Sequence, residues 1–184
     1  MSQPYETHRV NIAGVQRDLR LFQIKPGVRI AILNILGDTE LVVAAAKALA
    51  ETVKSRQPDY LVTAEAKAIP LAHALSVETG IPYMVLRKTY KPYMGDALKS
   101  ETLSITTNAP QTLYLDEKDR TAIAGKRVML LDDVISTGST LQGMRLIVRN
   151  ANAEVIGEAA ICTEGDRAQW TGVIALEHLP VWVD

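Results

Sequence analysis

Hydrophobic positions along the chain switch between two periods, and the switches mark out the elements. From His8 to Ile32, short alternating runs such as "DLRLFQI" and "VRIAI" are separated by the turn residues Gly14 and Pro26-Gly27. That is the pattern of half-buried strands in a hairpin or small appended sheet. The period then lengthens: Leu41, Ala45, Ala48, Leu49 and Val53 recur at helical spacing behind an N-cap at Asp38 or Thr39, which predicts a helix ending near Arg56. "DYLVTA" predicts a short apolar strand, and "PYMVLRK" predicts another. Between them Pro70 opens a second helix that carries Leu71, Ala74 and Leu75 toward Gly80. Residues 89–104 follow neither period and contain Pro92, Gly95 and several charges, which predicts a long exposed loop. Beyond it, "LSITTNAPQTLYL" has the shape of a hairpin and "KRVMLLDD" reads as a buried strand. Residues 141–150 read as a helix with Leu141, Met144, Ile147 and Val148 on one side, and "AEVIGEAAICT" as a further strand.

Strands and helices thus alternate through the middle of the chain, and the strands are nearly continuous in apolar residues. The pattern implies an α/β fold, a parallel sheet covered by helices on both faces. At 184 residues, with no internal repeat, low-complexity tract or linker, one domain spanning 1–184 is expected. An apolar fraction of 47% and a charged fraction of 22% are those of an ordinary globular protein. The net charge of −1 gives no broad electrostatic footprint for nucleic acid. Cys162 is the only cysteine, so no internal disulfide can form; in "AAICT" it reads as a small apolar filler. No apolar run approaches the roughly 18 residues of a bilayer span, and "MSQPYETHRV" lacks a signal peptide's hydrophobic centre, so a cytoplasmic protein with no membrane partner is expected. His8, His73 and His178 show no metal-ligand spacing, and Trp170 and Trp182 read as packing anchors.

In open parallel sheets ligands bind at the carboxyl ends of strands, and here those ends carry the unusual residues. The strand "VMLL" delivers Asp132 and Asp133 to the rim, and "STGST" then turns toward the next helix. Backbone N–H groups at a helix N-terminus, the hydroxyls of Ser136, Thr137, Ser139 and Thr140 and the permissive Gly138 can cradle a phosphate. Carboxylates accept hydrogen bonds from vicinal hydroxyls, so a sugar phosphate would satisfy both halves. Neither a Walker loop nor a G-x-G-x-x-G is present. A plain strand, turn and capped helix with solvated aspartates is the alternative.

The whole stretch "VMLLDDVISTGST" resembles the signature of the type I phosphoribosyltransferases. The resemblance implies binding of phosphoribosyl pyrophosphate, with Asp132 and Asp133 on the ribose hydroxyls and Ser136, Thr137, Gly138, Ser139 and Thr140 around the 5′-phosphate. "TAEAKAIPLA" occupies the place of the family's pyrophosphate loop, which often contains a cis peptide. That assigns Glu65, Ala66 and Ala68 to substrate contact and Lys67 to the pyrophosphate charge, with Ala68 where glycine is frequent. "RKTYKPYMGDALKSETLS" resembles the family's mobile catalytic loop and makes Arg87, Lys88 and Lys91 catalytic candidates. The Glu-Tyr pair of adenine-type members has no obvious counterpart, and Glu101 is the nearest carboxylate.

"RIAILNILGDTEL" resembles the segment that covers the base in adenine- and xanthine-type enzymes, which places Leu33 and Asn34 at the base. Residues 1–35 and 164–184 would then contribute to a small hood over it. The resemblance spans residues 29–163 and lies closest to the adenine phosphoribosyltransferase-like branch. It implies transfer of ribose 5-phosphate to a purine, adenine favoured, in purine salvage, with release of pyrophosphate. Mg²⁺ would be held mainly through the donor's own oxygens and water, with no protein metal ligand, and a homodimer is implied. The alternative is a regulator that binds phosphoribosyl pyrophosphate or a nucleotide on the same fold without catalysis.

Overall fold

A computed structural model describes residues 5–103 and 110–183. Its centre is a five-stranded sheet made from β4 (Tyr60–Ala64), β5 (Tyr83–Leu86), β8 (Arg127–Ile135), β9 (Glu154–Glu164) and β10 (Ile174–Leu179). The order is β10-β9-β8-β4-β5 and every pairing is parallel. The near-continuous apolar strands follow from burial on both faces. On β8, Met129 and Leu131 face a core shared with α1 (Thr39–Ser55) and α2 (Ile69–Thr79). Val128 and Leu130 face a second core with α4 (Ser139–Asn150). Cys162 is fully buried in the first core, where burial pushes its thiol up to about 12 and leaves it an inert filler.

The N-terminal alternation forms β1 (Thr7–Ile12), β2 (Val15–Lys25) and β3 (Val28–Ile32), joined by β11 (Val181–Val183) in an antiparallel sheet of order β1-β2-β3-β11. Its inward residues Val10, Ile12, Leu19 and Ala31 belong to the first core, so the small sheet sits on α1, with β1 also meeting β10. Arg17 locks it there. The guanidinium donates to both Asp38 carboxylate oxygens at 2.8 Å, while Asp38 caps α1 by accepting from Leu41 N. Of residues 164–184, only Val181–Val183 joins the small sheet; Ile174–Leu179 extends the parallel sheet instead.

Three features differ from the sequence pattern. Part of the expected loop 89–104 is ordered, with a 3-10 turn at Pro92–Met94 and strand β6 (Leu98–Leu103) paired to β7 (Pro110–Leu115). Met94 is buried and Leu98 packs on the second core, apolar anchors too sparse to show as a period. The expected hairpin is therefore shifted toward the N-terminus, and its residues 104–109 lie outside the described residues. Helix α3 (Glu117–Ile123) is unforeseen: it is short, capped by Asp116, and buries only Ile123. Among the described residues no helix is long and apolar enough to cross a membrane.

Candidate active site

The carboxyl ends of β4 and β8 lie side by side because those strands pair in parallel, Thr63 opposite Leu131. Each strand runs into a loop and then a helix, so two loops face one another across the sheet edge. Between them lies a cleft of about 180 Å³ lined by Glu65, Ala66, Lys67, Ala68, Lys88, Asp132, Asp133 and Thr140, together with Ala64 and Val134. Residues far apart in sequence, singled out by different motifs, converge there.

The first loop carries a cis peptide between Glu65 and Ala66. Ala68 precedes α2 with φ −81°, ordinary helical backbone, so nothing at that position demands glycine. Lys67 reaches across the cleft and donates to the Leu33 carbonyl at 3.1 Å and to Asp133 Oδ2 at 3.3 Å. It therefore ties together the segment after β3, the end of β8 and its own loop. Glu65 turns to the other side, where it accepts from the Lys88 N–H at 2.8 Å and forms an ion pair with Arg87. The Arg87 Nε approaches Glu65 without hydrogen-bond alignment, and its terminal nitrogen donates to the Tyr93 hydroxyl at 3.2 Å. Tyr93 and then Glu65 hold the guanidinium protonated above its ordinary range. Arg87 is thus a brace, Lys88 lines the cleft, and Lys91 sits exposed outside the lining at the start of the 3-10 turn. Glu101 is exposed on β6 and paired with Lys99.

The acidic pair divides its labour by strand alternation. Asp133 is buried on the Lys67 side, whereas Asp132 faces the side on which Lys88 acts. The Asp133 N–H donates to Asp132 Oδ1 at 2.9 Å. Burial first, and then the charge of Asp133, push the Asp132 carboxyl up to about 8, with Lys88 opposing the rise. Near neutral pH the free pair therefore resists carrying two negative charges.

Gly138 precedes α4 with φ +74°, the left-handed conformation that residues with a Cβ adopt at a cost. This turn aims the first N–H groups of a twelve-residue helix out of the sheet edge. Thr137 Oγ1 and Ser139 Oγ lie 3.2 Å apart within it, and Ser136 is exposed. A Cβ on Gly138 would lie 2.9 Å from the Trp170 ring, so that indole covers the turn. Trp170 Nε1 in turn donates to the Glu164 carbonyl at 3.0 Å. Trp182 belongs to the small sheet, opposite Arg29 and edge-on to His8.

Leu33 is buried and enters the site through its carbonyl; Asn34 is exposed and accepts from the Leu36 N–H at 3.3 Å. Glu164, at the end of β9, escaped the sequence reading as a site residue. Its sequence signal is a carboxylate just beyond the apolar run "AAIC", weaker than the acidic pair Asp132 and Asp133 because the same strand also carries Glu154 and Glu158.

Thr140 at the end of the turn, two acids at a strand end and the cations Lys67 and Lys88 line one cleft. The Giardia lamblia APRTase structure superposes with a TM-score of 0.72 at 19% identity, covering 87% of this chain and 93% of that one, which shows the fold. An adenine phosphoribosyltransferase structure from Thermoanaerobacter pseudethanolicus gives 0.66 at 18% identity, covering 94% and 95%. In sequence, the chain is 30% identical over 135 residues to the purine biosynthesis transcriptional repressor PurR of Bacillus subtilis, covering 73% of this chain and 47% of the relative. It is 36% identical over 108 residues to a hypoxanthine/guanine phosphoribosyltransferase of Methanococcus voltae, covering 59% and 54%. The chain thus spans about half the length of these curated relatives. Residues 32–172, most of the chain and all of the cleft, match the phosphoribosyl transferase domain, and the chain belongs to that family.

Proposed function

We propose that the protein is a purine phosphoribosyltransferase that moves ribose 5-phosphate from phosphoribosyl pyrophosphate to a ring nitrogen of a purine, releasing pyrophosphate. The observation that carries this reading is the convergence of Lys67, Lys88, Asp132, Asp133 and Thr140 on one cleft at the strand ends. Three subsites follow in order: the turn from Ser136 to Thr140 takes the 5′-phosphate, Asp132 and Asp133 take the ribose hydroxyls, and the loop at Ala66 to Ala68 takes the pyrophosphate.

The C1–O bond to pyrophosphate breaks as the ring acquires oxocarbenium character. Lys67 and Lys88 stabilise the charge that develops on the leaving group, and the acids stabilise the positive ring. Among the described residues no cluster of three or more His, Cys, Asp or Glu forms a metal cage. Asp132 and Asp133 are nevertheless oxygen ligands suited to a hard cation that keeps most of its contacts to the donor and water. Mg²⁺ bound with the donor would neutralise part of the polyphosphate charge. Arg87, braced by Glu65 and Tyr93, positions the backbone that presents Lys88.

For the acceptor, the N-terminal resemblance favours adenine, whereas the curated enzyme relatives at 31–36% identity carry hypoxanthine/guanine names. Those sequence relatives support a 6-oxopurine, and that is the acceptor we put forward in place of adenine. A second reading, a regulator that binds the donor without turnover, is favoured by the 30% identity to PurR. Pyrophosphate release with phosphoribosyl pyrophosphate, magnesium and each of adenine, hypoxanthine, guanine and xanthine separates the readings. Turnover with a 6-oxopurine is expected. Tight donor binding with no release for any base would establish the regulator.

A further inference from the structure

Of the carboxylates buried to at least nine-tenths, Asp133 has Lys67 and Glu158 has Arg145, but Glu164 has neither a hydrogen bond nor an ion pair to its carboxylate among the described residues. It is only 7% exposed. A largely buried carboxylate without a protein partner is costly, and such groups persist where water or a ligand reaches and completes them. Burial pushes this carboxyl up while the charge of Lys67 pulls it down, so the group lies within electrostatic reach of the lysine that spans the cleft.

Its position follows from strand alternation. Cys162 lies in the core under the small sheet, and Glu164, two residues on, points to the same face at the strand's open end. The neighbouring strand β8 pairs through Ile135 with Thr163, so Glu164 stands beside the start of the phosphate turn. Its carbonyl anchors Trp170, which covers Gly138. On the same face Lys67 fixes the Leu33 carbonyl. The donor subsites occupy β4 and β8, and an acceptor that attacks C1 from the side opposite pyrophosphate would come in against this remaining wall.

We propose that Glu164 is the specificity-determining residue for the acceptor, accepting hydrogen bonds from the N–H donors on the pyrimidine edge of a 6-oxopurine. This rests on the transferase reading above. A carboxylate offers only acceptors. Guanine presents N1–H and an amino group side by side, a match for two carboxylate oxygens, and hypoxanthine and xanthine present N1–H. Adenine presents a bare N1, which meets the carboxylate lone pair to lone pair. Sites built to hydrogen-bond a donor reject the analogue that lacks it strongly.

The test uses the intact protein. Calorimetric titration with guanine and 1-methylguanine, with donor-site occupancy set by ribose 5-phosphate and pyrophosphate, needs no turnover, so it stands even if the chain is a regulator. Guanine should bind at least tenfold more tightly than its 1-methyl analogue, and equal binding overturns the proposal. With Glu164→Gln, KM for guanine or hypoxanthine should rise 10- to 100-fold while KM for the donor stays within twofold, and the preference over adenine should shrink. A variant that loses donor and acceptor binding in the same proportion assigns Glu164 a structural role and also overturns it. If Glu164→Gln does not fold, the wild-type comparison of the two guanines decides alone.

Discussion

The two halves of the proposed site are built by different means. On the proposed donor side Lys67 Nζ lies 3.3 Å from Asp133 Oδ2 and Lys88 acts on Asp132, the groups coming from the runs after β4 and β5 and from the end of β8. On the proposed acceptor side, beyond the cleft's lining, the groups are a main-chain carbonyl at Leu33, a carboxylate without a protein partner among the described residues at Glu164 and the indole of Trp170, contributed by opposite ends of the chain. The donor is a fixed polyanion that needs many charged contacts. A neutral base needs a shaped wall and a few directional groups. One half can therefore be shared among proteins of this family while the other varies.

The largest effect should come from the acidic pair. Replacing both Asp132 and Asp133 with Asn removes the negative charge and half the acceptor capacity that the ribose hydroxyls require. Loss of hydrogen bonds to charged groups at about 1.5–3 kcal/mol each corresponds to at least 10- to 100-fold weaker donor binding. Calorimetry on the folded double variant checks this, and unchanged affinity would remove the ribose assignment. The single change Asp132→Asn has an opposite signature in the ligand-free protein. Its folded value of about 8 lies above the unfolded 3.8, so the group's stabilising contribution is full below 3.8 and lost as pH rises through 8. Asp132→Asn should thus raise the melting temperature at pH 8, by about 2–4 °C for each kcal/mol relieved, and leave it nearly unchanged at pH 4.

That contrast also explains what could be read from the chain alone. "VMLLDDVISTGST" and "TAEAKAIPLA" point to the proposed donor half because each run combines strand, polar group and helix start locally, and the structure brings Glu65, Ala66, Lys67, Ala68, Asp132, Asp133 and Thr140 to one cleft. The parallel sheet was legible for the same reason, its strands being nearly unbroken apolar runs. Lys91 fell outside the lining and Arg87 became a brace because the residues after β5 fold back as a 3-10 turn and a hairpin, held by scattered anchors such as Met94 that leave no period. Glu164 was legible only as the first residue of the expected hood segment 164–184, because a lone carboxylate at a strand end gains meaning only from what surrounds it. Edge strand β10 and helix α3 share that weakness, being short and only partly buried.

The joint between the halves is Gly138 under Trp170, and Gly138→Ala should break it with an intermediate effect. The φ of +74° costs an alanine about 1 kcal/mol, and the new Cβ would press on the indole at 2.9 Å. Thermal unfolding should show a loss of about 2–3 kcal/mol. In a Trp170→Leu background only the backbone part should remain, so the same substitution should cost about 1 kcal/mol there, roughly 1–2 kcal/mol less. An identical cost in both backgrounds would mean that the indole yields freely and does not couple the phosphate turn to the acceptor wall.

The smallest effect belongs to the clamp that seats the small sheet, remote from both subsites. Arg17 and Asp38 are 29% and 22% exposed, shielded enough for the bidentate pair to exceed the few tenths of a kcal/mol of an open surface bridge. Arg17→Ala should lower the urea midpoint at pH 7 modestly without changing the slope. The Arg17 hydrogen bonds hold the Asp38 carboxyl below its unfolded value of 3.8. The clamp's contribution is therefore present above 3.8 and is lost as pH falls through the lower folded value, so the stability gap between wild type and variant should narrow as pH is lowered below 3.8. Donor affinity should be unaffected, because Lys67, Asp132 and Asp133 are positioned by the parallel sheet. The acceptor wall reaches the cleft through Leu33 immediately after β3, so any loss of binding should appear with the base alone. A drop in donor affinity of more than twofold would show that the small sheet supports both halves and that the division between them is not real.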